Sequence, residues 1–113
     1  MTSDGHTLLH RARALVPDYL RLLEVFVNLD SGTHDRDLVQ QAGEMIAAEF
    51  AAVFDHLEWV RSPEPQIADT YIARLDGSSD KTVLMLGHHD TVYAAGTTRE
   101  RPFAITCGRA HGP

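Results

Sequence analysis

The sequence predicts an α/β fold: a parallel or mixed sheet with flanking helices. Three observations support it. Two segments repeat apolar residues at helical spacing before any strand appears. Short strand-like runs bounded by Pro or turn residues follow. One of these, Thr82 to Leu86, lacks polar alternation, as expected of a strand covered on both faces. Helices packed against such strands form an α/β layer.

Pro17 can occupy the first turn of a helix, where its missing N–H is harmless. Leu20, Leu23 and Val27 then recur at helical spacing with Phe26 beside them, and the pattern stops in the turn cluster Asn28 to Thr33. A second helix is expected from about Asp35 to Val53. Leu38, Ala42, Met45, Ile46, Phe50 and Val53 share its apolar face, which is expected in the core, and Arg36, Asp37, Gln40, Gln41 and Glu44 take the other. Leu57 to Val60 reads as a short strand closed by Pro63 and Pro65, which cannot sit inside a sheet. Thr70 to Leu75 is the next strand, ended by the turn Asp76 to Asp80, and Thr82 to Leu86 is the third. The chain then loosens through Ala94 to Pro102. A last pair, Phe103 to Ile105 and Arg109 to His111, flanks a turn at Gly108.

Composition narrows the function. The 113 residues make at most one small domain, and 43% hydrophobic with 23% charged residues is ordinary for a globular protein. Ten basic against 16 acidic residues give a net charge of −6, so no basic stripe exists to meet nucleic acid or an anionic membrane. Cys107 is the single cysteine, which excludes an intrachain disulfide and allows a reducing compartment. The opening MTSDGHTLLHRARAL has charged and His residues where a leader needs an unbroken apolar core, so the expected location is cytoplasmic.

The chemistry concentrates in Gly87-His88-His89-Asp90. On an extended segment His88 and Asp90 project to one side and His89 to the other. Imidazole and carboxylate suit zinc, and a ligating histidine usually donates its second N–H to a carboxylate. Sites in open α/β sheets also lie at the carboxyl ends of strands. Taken alone, a His-x-Asp triplet is more often a solvated strand end, and a catalytic zinc needs about three protein ligands. The acyltransferase pattern His-His-x-x-x-Asp-Gly fails here, because Asp90 follows His89 directly.

The wider stretch Leu84 to Tyr93, with Gly96-Thr97, Arg101-Pro102-Phe103, Gly108-Arg109-Ala110 and Gly112-Pro113, resembles the di-zinc metallopeptidase family of bacterial glutamate carboxypeptidase, acetylornithine deacetylase and succinyl-diaminopimelate desuccinylase. Leu29 to Thr33 and the Ile72 to Leu75 strand with its Gly77 turn also look like that family, so the resemblance runs from about Tyr19 to Pro113. It implies a zinc-exopeptidase-like catalytic domain of which residues 1–113 form the N-terminal portion. Carried over by position, the first zinc-ligand histidine falls on His88. The carboxylate that orients it, counted among the catalytic groups, falls on Asp90. His89 receives no role. His111 is expected in a loop, His6, His10, His34 and His56 are expected to be solvated, and Cys107 is expected to be a small apolar residue.

The resemblance further implies Zn2+, two ions per complete enzyme, with Co2+ or Mn2+ as alternatives. It implies a small-molecule or peptide substrate carrying a free carboxylate, hydrolysed at an amide bond, and a homodimer for the full-length protein. The family's bridging aspartate, paired glutamates, remaining ligands and dimerisation domain come after its Gly-Pro segment, and this sequence ends at Pro113. The chain is therefore expected to be an N-terminal fragment that is inactive alone. The rival expectation is a non-catalytic, truncated or degenerate α/β module.

Overall fold

The computed structural model describes residues 3–113. Met1 and Thr2, at the head of the segment read as carrying no leader, lie outside the described residues. The chain opens with helix α1 (Ser3–Ala14), which the sequence reading did not anticipate as an element. Arg11 and Arg13 sit in its last turn, where they complement the helix dipole. Helix α2 (Val16–Val27) follows almost without a gap, with Pro17 in its first turn. Proline has no N–H to carry one helix into the next, and α1 ends there.

Helix α3 (Arg36–Ala51) starts where expected because the Asp35 carboxylate caps it, accepting from the Leu38 N–H at 3.2 Å. Its buried residues are Val39, Ala42 and Gly43. The expected apolar face is thus only partly covered. Ala42 is 4% exposed, but Phe50 is 39% exposed, and Val53 lies beyond the helix at 61%. On the polar face, the Gln40 side-chain oxygen accepts from the Asp69 N–H at 3.1 Å.

Strand β1 (His56–Val60) pairs antiparallel with β2 (Thr70–Arg74), with His56 opposite Arg74 and Val60 opposite Thr70. The direction follows from the connector, residues 61–69, which is shorter than the dozen or so residues a parallel crossover needs. Trp59 and Tyr71 face each other across the pair with ring centroids 5.0 Å apart, and Tyr71 reaches Phe50 of α3 at 6.2 Å. This aromatic contact joins ribbon to helix. After the short helix α4 (Thr97–Glu100), β3 (Ala104–Thr106) and β4 (Arg109–His111) close a hairpin. Its two-residue turn has φ 51° at Cys107 and 73° at Gly108, the type I′ geometry that matches strand twist. Cys107 is therefore an exposed turn corner and not a packed apolar residue.

Two expectations need correction. Thr82 to Leu86 forms no ladder among the described residues, and Val83, Leu84, Met85 and Leu86 are 78–88% exposed. A strand needs a neighbouring backbone, which composition cannot supply. Both two-stranded sheets are antiparallel, so no parallel sheet forms among the described residues. The parallel element present is one bridge, Gly32 to Thr91. With little of its apolar surface covered, the chain has a radius of gyration of 16.7 Å, against about 13 Å for a compact domain of this length. The class is mixed α/β.

At that bridge the backbone of residue 32 runs directly against Tyr93, and a Cβ there would collide with the Tyr93 carbonyl. Gly32→Ala is therefore expected to destabilise by about 1–3 kcal/mol, the usual cost of overpacking. Gly77→Ala, at a turn with open space, should stay within about 0.5 kcal/mol of wild type. Urea midpoints for both variants check this, and equal midpoints would refute the close approach.

Candidate functional site

Residues 29–33 leave α2 and meet residues 90–93 in a parallel clasp. The Thr91 N–H donates to the Ser31 carbonyl at 2.8 Å, and the Thr33 N–H donates back to the Thr91 carbonyl at 2.8 Å. The Gly32 carbonyl also accepts from the Asp35 N–H at 2.8 Å, which ties the clasp to the start of α3. Ser31 is buried, at 5% exposure. The strand-end residues His88, His89 and Asp90 are therefore held even though the apolar run before them has no partner.

The side chains alternate as the sequence implies. His88 is exposed, and its Nδ1 lies 3.2 Å from Asp90 Oδ1 and 3.0 Å from the Asp90 carbonyl oxygen. Both are acceptors, which favours the tautomer protonated at Nδ1; in that neutral tautomer Nε2 keeps its lone pair. His89 turns the other way, onto α3. Its Nε2 is buried and makes no hydrogen bond, and a Cβ at Gly43 would lie 2.9 Å from it and 3.2 Å from Trp59 Cη2. Gly43 leaves room for that imidazole.

Asp90 is the better-anchored partner. Its Oδ2 accepts from the Thr33 hydroxyl at 2.8 Å. That bond is the main reason its carboxyl titrates below the ordinary 3.8. Partial burial opposes the shift, while its own backbone N–H and His88 add to it. Asp30 forms a second anchored carboxylate, accepting from the Gly96 N–H at 2.7 Å and the Thr98 N–H at 3.3 Å. The Gly96 bond leads in lowering its pKa, against desolvation and with help from Thr98 and Arg99. Neither Thr33 nor Asp30 was singled out by the sequence reading. The signal available was their place in the Leu29 to Thr33 turn, which carried part of the family resemblance.

His88, Asp90 and Asp30 border a cleft of about 360 Å³ with Leu23 and Phe26 of α2 on another side. Among the described residues, no group of three or more His, Cys, Asp or Glu side chains gathers where it could hold a metal. His89 also lines this cleft, while His6, His10, His34, His56 and His111 do not. His56 lies on β1 with its side chain exposed, as expected, and faces Asp76 at 3.2 Å, and His111 lies on β4 and not in a loop. No helix among the described residues is long and apolar enough to cross a membrane.

No family model matches the chain. Over 97 residues it is 29% identical to carboxypeptidase G2 of Pseudomonas sp. (strain RS-16). The match takes in 86% of this chain and 23% of that relative's length. The likeness is thus a distant one, to one part of a carboxypeptidase. Acetylornithine deacetylase and the desuccinylase rest on the motif resemblance alone.

Because Asp30 has a lowered folded pKa, its stabilising effect is complete above the ordinary 3.8 and is lost as pH falls through the folded value. Asp30→Asn should therefore melt below wild type at neutral pH, with the gap closing in acid. Thermal melts of both proteins from neutral to about pH 2 test the sign. A gap that is constant throughout would contradict it.

Proposed function

We propose that this chain is part of a zinc-dependent hydrolase that cleaves amide bonds in N-acyl amino acids or short peptides bearing a free carboxylate. In this reading residues 1–113 contribute the N-terminal portion of a catalytic domain, and the Gly32 to Thr91 bridge belongs to a larger parallel or mixed sheet. The carrying observation is the His88–Asp90 pair at the cleft, in a chain similar over 97 residues to a carboxypeptidase.

The donor chemistry fits one ligand position. His88 Nδ1–H is occupied by acceptors, and Nε2 keeps its lone pair on an exposed side chain. A carboxylate partner fixes the ring and raises its basicity toward a cation. Asp90 acts through His88 and is a positioning residue. Bound zinc would supply Lewis acidity and lower the pKa of a coordinated water. Since the described residues hold no group of three donors, the remaining ligands and the general base come from other sequence. That same lack favours a second reading, a non-catalytic α/β module.

The readings separate by zinc content and by turnover of an N-acyl glutamate. Both are measured in the protein that carries these residues within its complete coding sequence. His88→Ala should lose zinc and activity. Asp90→Asn keeps the shape but weakens the acceptor, and should cost about 10–100-fold in affinity or activity. His89→Ala should keep the zinc stoichiometry, and the 113-residue chain alone should show no zinc-dependent turnover. A wild type without zinc-dependent turnover would establish the second reading. Zinc retained by His88→Ala and lost by His89→Ala would overturn the ligand assignment.

A further inference from the structure

We infer that Thr33 is a positioning residue for His88, acting through Asp90; this rests on the reading of His88 as a metal ligand. The Thr33 hydroxyl has one proton and two acceptors in reach, Asp90 Oδ2 at 2.8 Å and the Thr91 carbonyl at 2.9 Å. The Thr91 carbonyl already takes the Thr33 N–H at 2.8 Å. Asp90 carries a charge and is the stronger acceptor, so the hydroxyl proton goes to it.

The consequence is orientational. With Oδ2 tied to Thr33, the carboxyl plane is fixed and Oδ1 is turned toward His88 Nδ1 at 3.2 Å. Thr33 is itself immobilised by its N–H in the clasp, so the hydroxyl is a rigid post and not a flexible surface contact. His88 has little packing of its own, because its side chain is 83% exposed. Ring orientation and tautomer therefore depend on hydrogen bonds, and the Thr33–Asp90 bond is the one that connects them to the body of the fold. Without it the carboxylate keeps only its own backbone N–H and His88 as partners and is less firmly oriented. The Nδ1–H then relies more on the neutral Asp90 carbonyl at 3.0 Å, and the Nε2–H tautomer, which cannot ligate through Nε2, becomes more populated.

The test is the tautomer of His88 in the 113-residue chain, read by long-range proton–nitrogen NMR at a pH where the imidazole is neutral. Wild type should show Nδ1–H. Thr33→Val removes the hydroxyl at nearly constant shape and should shift a measurable fraction to Nε2–H. The shift should be partial because the Asp90 carbonyl remains. Thr33→Ser restores the hydroxyl and should restore the wild-type signal, an effect that a merely structural role for the side chain would not produce. Should the valine variant fail to fold, Thr33→Ala removes the same hydroxyl without the branched methyl. An unchanged tautomer in the folded hydroxyl-less variant overturns the inference. In the complete protein, Thr33→Val should weaken zinc affinity by about 10-fold or more. If the tautomer shifts but wild type binds no zinc, the ligand reading fails while the positioning role stands.

Discussion

Two backbone hydrogen bonds between residues 31–33 and Thr91 hold together what the rest of the chain leaves loose. At this clasp the end of α2, the start of α3 and the segment that carries His88 and Asp90 meet. The main constraint on it is steric. Gly32 must lack a side chain for the Tyr93 carbonyl to come so near. The clasp matters more here than in a well-buried domain. Among the described residues the buried apolar ones are few, Val39 and Ala42, and no large side chain is fully enclosed. Where apolar burial is thin, directional polar contacts fix geometry.

The electrostatic arrangement around the cleft follows from how those contacts are made. Asp30 and Asp90 are stabilised in ionised form chiefly by uncharged donors: the Gly96 N–H for one and the Thr33 hydroxyl for the other. Such bonds lower a carboxyl pKa without cancelling its charge. A lysine or arginine in the same place would have neutralised it. In a chain of net charge −6, the cleft keeps negative potential beside an imidazole with a free nitrogen. That combination favours a cation.

Legibility in the sequence tracked the range of the interaction. Helices α2 and α3, the strands β1 and β2 though not their antiparallel pairing, and the hairpin at Gly108 were legible, because each is specified by residues within one or two turns: Pro17, Asp35, the Pro63–Pro65 closure, and a positive-φ turn. The His88–Asp90 relation was legible for the same reason, being two residues long. Thr33 was not, since its partner lies 57 positions away and the Leu29 to Thr33 turn that holds it does not point to Asp90. The sheet was over-read. Val83 to Leu86 has the composition of a doubly covered strand, but covering layers and a paired neighbour are properties of the whole fold.

The same uncovered run has a colloidal consequence. Residues 83–86 are apolar, uncharged and free of proline, and their exposed backbone is open to strand addition. Their flanks limit it: Asp80 and Lys81 precede the run, and His88, His89 and Asp90 follow it after a single glycine. Charged residues beside an unavoidable apolar stretch act as gatekeepers. Asp90 stays ionised to lower pH than an ordinary carboxylate, so that guard persists into acid. The residues that shape the cleft therefore also bound the exposed apolar run on its C-terminal side.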